Sequence, residues 1–137
     1  LIISDNQTRM YDKLSFNKAS IDYIKEIKNR HRVVYMISGS HQLLVNQIDS
    51  HLKIFFESFG TRLNFNMIGK NKIKFIREEL KISEFDYLGN SYQDLPIWVY
   101  TKKIIYTNAS DKLKKIINTS NLDKFEVKEN FSTFEKK

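Results

Sequence analysis

Only four glycines occur in the 137 residues, and three of them mark places where the neighbouring residue types could do chemistry. Gly39 lies in Met36-Ile37-Ser38-Gly39-Ser40, an apolar run that ends in small hydroxyl residues ahead of a helical pattern beginning near His41. Exposed amides at a helix start, together with the Ser38 hydroxyl, form an anion cradle. An ordinary serine helix cap would use the same residues. Gly69 lies in Ile68-Gly69-Lys70-Asn71-Lys72-Ile73. Two lysines at a helix start oppose its dipole, a cost that a bound anion would relieve; a solvated lysine pair is the alternative. Gly89 opens Gly89-Asn90-Ser91-Tyr92-Gln93-Asp94 after the run from Phe85 to Leu88. Asp94 is suited there either to hold a cation, with Asn90 as a neutral oxygen ligand, or to cap the helix that follows.

Short apolar runs must position these sites. Leu1 to Ile3, Val33 to Ile37, Phe85 to Leu88 and Ile104 to Thr107 read as buried strands. Between them run helical patterns marked by Ile21, Ile24 and Ile27; by Leu44, Ile48 and Leu52; by Ile73, Ile76 and Leu80; and by Leu113, Ile116 and Ile117. Ile54 to Phe59 could extend the second helix, yet Phe55, Phe56 and Phe59 and the stop at Gly60 favour a short strand, and Phe125 to Phe131 reads as a terminal one. Strands alternating with helices require long crossovers, so the expected fold is α/β: a Rossmann-like, mostly parallel sheet with helices on both faces, in a single domain over residues 1–137. In such sheets ligands sit outside the carboxyl ends of the strands. That end gathers all three glycine sites.

Composition narrows the function classes. Apolar residues make up 41% and aromatics 13%, enough for one buried core and too much for a disordered chain. Without cysteine there is no disulfide framework, thiolate metal site or cysteine nucleophile, which fits a reducing compartment. No apolar run approaches the roughly 20 residues that span a bilayer, and a start at Leu1 rather than methionine reads as a piece of a longer or processed chain. The net charge of +7 would suit phosphate or nucleic-acid binding. The lysines, however, are scattered among asparagines without a nucleic-acid motif, so nucleic acid is not the expected partner. His31, His41 and His51 have no metal-pair spacing.

Taken in order, the three sites resemble the haloacid dehalogenase (HAD) superfamily. Ser38 falls at its second motif, Lys72 or Lys70 at its third, and Gly89 to Asp94 at its fourth. Gly69-Lys70-Asn71-Lys72, the stretch from Tyr87 to Trp98, and Thr107-Asn108-Ala109-Ser110 look most like the HAD-like domain that precedes UbiA-type prenyltransferases. The resemblance implies a HAD-like domain with a minimal cap, of Mg²⁺-dependent phosphatase ancestry, that receives a phosphate-bearing small molecule. It also implies a neighbouring membrane prenyltransferase domain and a location in the cytoplasm or on the cytoplasmic face of a membrane.

The first motif departs from the superfamily's Asp-x-Asp-Gly-Thr, in which the first aspartate is the nucleophile and the second the general acid. Anchored on Thr8, the chain reads Ser4-Asp5-Asn6-Gln7-Thr8, so Ser4 and Asn6 replace both aspartates and Gln7 replaces the glycine. A one-residue slip restores Asp5 as nucleophile but places Gln7 at the acid position. Alternation along a strand prevents Ser4 and Asp5 from both facing the site. Asn90 stands where the fourth motif usually carries an acid.

The resemblance therefore implies phosphate binding by Ser38, Gly39 and Lys72 or Lys70. Ser4, Asp5, Asn6 and Thr8 take the catalytic positions. A weakened or lost Mg²⁺ site would rest on Asp94, Asn90 and Asp5. The expectation is a catalytically degenerate HAD-like domain with a structural or regulatory role. Two alternatives stand beside it: an active phosphatase using Asp5, and a basic nucleic-acid module.

Overall fold

A computed structural model describes residues 1–5 and 17–128, with the backbone alone for residues 3–5. Six strands form one parallel sheet in the order β3-β2-β1-β4-β5-β6: β1 Ile2–Asp5, β2 Tyr35–His41, β3 Glu57–Thr61, β4 Asp86–Gly89, β5 Lys103–Tyr106 and β6 Asp123–Glu126. The chain winds outward from β1 to β3, returns to β4 on the other side of β1, and winds outward again.

The connecting helices are α1 Lys18–Asn29, α2 Gln42–Leu52, α3 Lys70–Lys74, α4 Leu95–Trp98 and α5 Asp111–Asn118. Helix α3 runs on into a π-turn, Phe75–Glu79, and a 3₁₀ turn, Tyr92–Asp94, precedes α4. Alternation along the strands splits the core in two. Met36, Leu88 and Ile105 pack on one face against Ile24 and Ile27 of α1 and Val45 and Ile48 of α2. Ile37, Tyr87 and Ile104 face the other way, onto Ile76, Ile97, Trp98, Leu113 and Ile117. Full burial of each such side chain contributes about 1.5–3 kcal/mol. The crossovers thus place α1 and α2 on one face and α3, α4 and α5 on the other, as right-handed connections demand when the winding direction reverses.

The expected parallel α/β architecture with helices on both faces is observed, with shifts at the edges. Ile54 and Phe55 are buried but precede β3, which starts at Glu57 and runs through Gly60. The last strand lies two residues earlier than the run from Phe125 to Phe131, and residues from 129 onward lie outside the described part. Both are sheet edges, where strand length follows the single neighbour available for pairing, β2 or β5. Local caps set helix starts: the Asn17 side chain accepts from the Ser20 amide at 2.7 Å, and Ser110 Oγ accepts from the Leu113 amide at 3.1 Å. Each cap contributes about 1 kcal/mol.

Candidate functional site

Strand order reverses between β1 and β4, and the crevice outside the carboxyl ends at such a switch point is where open α/β sheets bind ligands. Four sequence segments meet at that end. The backbone of β1 ends at Asp5, whose Cα pairs in register with Ser38 of β2, while Ser4 pairs with Ile37. The side chains of Ser4 and Asp5, and all of Asn6 and Thr8, lie outside the described residues.

In the second half of β2, Ser38 is 0% exposed and its Oγ accepts from the Ser40 amide at 3.0 Å. Neither serine caps α2. His41 does, its Nδ1 accepting from the Leu43 amide at 3.1 Å. Ser38 lies where β2 bulges away from regular pairing with β3 between Ile37 and His41, and Gly39 sits beside it in that bulged loop. Thr61, at the end of β3, holds that loop in place. Its Oγ1 donates to the Gly39 carbonyl at 2.9 Å and accepts from the Met67 amide at 2.9 Å. One hydroxyl thus ties the β2 loop to the segment leading into α3. A threonine closing a strand carries no sequence signal for this task.

Helix α3 leads from the carboxyl end of β3 back toward the amino end of β4, so its first turn stands at the site. Gly69 precedes it at φ +54°, a conformation that side-chain-bearing residues rarely adopt. Lys72 is 3% exposed, whereas Lys70 is exposed. A lysine is almost never buried so fully without compensation. Among the described residues two side chains of the Lys, Arg, Asp and Glu types are buried, Lys72 and Asp94, and both lie in segments at the carboxyl end of the sheet.

Asp94 is 0% exposed. Its Oδ2 accepts from the amides of Asn90 at 2.8 Å and Ser91 at 3.1 Å, and its Oδ1 accepts from the Tyr87 hydroxyl at 3.1 Å. With the Ser91 side chain this completes a capping box around the 3₁₀ turn. Gly89 makes room for it: a Cβ there would stand 2.4 Å from Asp94 Cγ and 2.4 Å from Oδ2. Trp98 anchors the same strand from below, its Nε1 donating to the Tyr87 carbonyl at 2.9 Å. Thr107 closes the far side, its amide donating to the Gly89 carbonyl at 3.1 Å and its hydroxyl accepting from Asn17 Nδ2 at 3.1 Å.

The fit to Mg²⁺ can be judged on this donor set. Asn90 Oδ1 is buried and accepts no hydrogen bond, which leaves a neutral oxygen open. The Asp94 carboxylate, by contrast, already accepts three of the roughly four hydrogen bonds its lone pairs allow. No cluster of three or more metal-ligating side chains is present among the described residues. Of the three residues the resemblance assigns to Mg²⁺, Asp5 has its side chain outside the described residues; the described pair offers one open amide oxygen and one committed carboxylate, by itself less charge than the one or two carboxylates the ion usually takes.

No known family profile matches the sequence. An uncharacterized protein, y4nM of Sinorhizobium fredii (strain NBRC 101917 / NGR234), is 28% identical over 85 residues, which is 62% of this chain and 16% of that protein. A solved structure of a protein of unknown function from Bordetella pertussis Tohama I superposes with a TM-score of 0.69 at 12% identity, covering 83% of this chain and 60% of that one. Substrate-bound phosphoserine phosphatase, a member of the HAD superfamily, superposes with a TM-score of 0.54 at 19% identity, covering 80% of this chain and 58% of the enzyme. The chain thus spans under two thirds of the length of each.

Proposed function

We propose, with the HAD-like phosphatase fold as premise, that this domain receives a phosphate group at the carboxyl end of the sheet without turning it over efficiently. Ser38, the Gly39 loop and Lys72 supply the cradle. Ser38 adds a hydroxyl and Lys72 a positive charge held out of water, where attraction to phosphate is stronger than on the surface. The single observation that carries the degenerate half of the reading is Asp94: the acid of the β4 loop is directed into its own backbone, and Asn90 replaces the other acid.

In HAD phosphatases Mg²⁺ neutralises charge on the transferring phosphoryl group. Asn90 and Asp94 offer that ion few charged oxygens, so binding is weakened or lost. An amide at the general-acid position cannot protonate a leaving alkoxide, and that function alone is typically worth about 10²–10⁴ in rate. The role that remains is structural or regulatory, on a phosphate-bearing small molecule or beside a membrane prenyltransferase domain. Among the described residues no helix is long and apolar enough to cross a membrane.

The test is phosphate release from a panel of phosphomonoesters with Mg²⁺, paired with calorimetric titration of inorganic phosphate. Binding without release is expected. Robust Mg²⁺-dependent release that Asp5→Asn abolishes would overturn the reading and establish the alternative, an active phosphatase with Asp5 as nucleophile.

A further inference from the structure

A cavity of about 340 Å³ opens beyond β3 on the side of α3. It is near the lower end of the range for small-molecule sites. Phe65, Met67 and Phe75 supply its apolar lining, and four charged side chains line it with them: Arg62, Lys74, Glu78 and Glu79. The apolar wall is fixed by neighbours, since the Phe75 ring lies 4.8 Å from that of Phe59 and 6.0 Å from that of Phe65. Arg62 is held beside Phe65 by a two-way backbone bridge, with N–O distances of 2.8 and 3.1 Å.

The charges are the unusual feature. At the same i, i+4 spacing, Lys18 and Asp22 close to 2.9 Å and Glu26 and Arg30 to 2.7 Å. Lys74 and Glu78 do not close. Neither do Arg62 and Glu79, and none of the four makes an ion pair among the described residues. The backbone explains why. From Phe75 the helix winds as a π-turn, with the Leu80 amide donating to the Phe75 carbonyl at 3.0 Å, and the wider turn changes the phase between residue 74 and residues 78 and 79. Such turns are rare and often stand at functional sites.

From this geometry we infer that the cavity binds a small zwitterion with a large apolar body, of the free aromatic α-amino acid class. Arg62 and Lys74 take the carboxylate, Glu78 and Glu79 take the ammonium, and the side chain lies on Phe65, Met67 and Phe75. Charge balance selects this class. A zwitterion presents its one carboxylate to the pair of cations and its one ammonium to the pair of anions, whereas a nucleotide or a simple carboxylate would leave both glutamates unanswered. The inference is independent of the phosphate cradle.

The test is calorimetric titration of L-phenylalanine, 3-phenylpropionate, 2-phenylethylamine and adenosine monophosphate into the protein and into its Arg62→Gln and Glu78→Gln variants. Both substitutions are at exposed positions and leave the core intact. Saturable binding of L-phenylalanine is expected, with each half-ligand weaker by at least about tenfold and each variant weaker by about tenfold, the scale of one charged hydrogen bond. No saturation below about 10 mM would overturn the proposal. So would 3-phenylpropionate or adenosine monophosphate binding as tightly as L-phenylalanine, or variants that bind it like the parent.

Discussion

Removing the Asp94 carboxylate separates a loop brace from a metal ligand. In Asp94→Ala the amides of Asn90 and Ser91 and the hydroxyl of Tyr87 lose their acceptor. Tyr87 is fully buried, so its hydroxyl bears the full cost of an unmade bond, while the two partly buried amides recover some of theirs from water. At about 1–3 kcal/mol for each orphaned group, the sum is about 3–5 kcal/mol. That corresponds to a fall in Tm of about 10–17 °C for a chain of this size.

Asp94→Asn differs in one respect. Its single oxygen can accept from both amides and its NH₂ can donate to the Tyr87 oxygen, so the loss is about 1 kcal/mol. Urea unfolding followed by the fluorescence of Trp98, the one tryptophan of the chain and buried against Tyr87, reads both variants. Equal losses in the two would mean that the fold requires the negative charge itself rather than the acceptor set, and would refute the reasoning. So would a loss below about 1 kcal/mol for the alanine variant. Gly89→Ala offers a coupled check. Its Cβ meets Asp94 Cγ and Oδ2, so it costs about 1–3 kcal/mol alone and less when combined with Asp94→Ala.

Further expectations concern neighbouring groups. Lys72→Met keeps the buried stem and removes the charge, so affinity for inorganic phosphate falls by at least about tenfold; Lys70→Met, at an exposed position, leaves it within about twofold. Calorimetry distinguishes these, and equal effects would remove Lys72 from the cradle. Thr61→Val keeps shape but strips the bonds to Gly39 and Met67, costing about 1–3 kcal/mol in urea unfolding. Burial, followed by the nearby Asp86 carboxylate, raises the Tyr23 phenol above its ordinary value. The folded state then holds a proton that the unfolded chain releases. The associated stability is complete below about pH 10 and is lost as pH rises through the raised folded value; Tyr23→Phe removes that alkaline loss.

The sequence by itself determined the layered architecture. Runs such as Val33 to Ile37 and Ile104 to Tyr106 are apolar at consecutive positions, and only a strand covered on both faces needs that. The helical spacing of Leu44, Ile48 and Leu52 leaves one stripe to bury. Alternation of the two implies parallel neighbours, and scarce glycines at strand ends pointed to one rim of the sheet. Those are local patterns, readable one segment at a time.

The tertiary structure decided what depends on how segments meet. Lys70 and Lys72 are equivalent in the sequence, and the docking of α3 buries the second and exposes the first. Asp94 was open to a metal or a cap until the fold directed its oxygens at the amides of residues 90 and 91 and at Tyr87. Thr61 gained its role only because β3 ends beside the Gly39 loop. Thr61 meets a partner 22 residues away, whereas the partners of Asp94 lie within seven residues but reach it only through the turn the chain makes there; polar side chains, unlike apolar ones, carry no periodicity that announces either kind of partner beforehand.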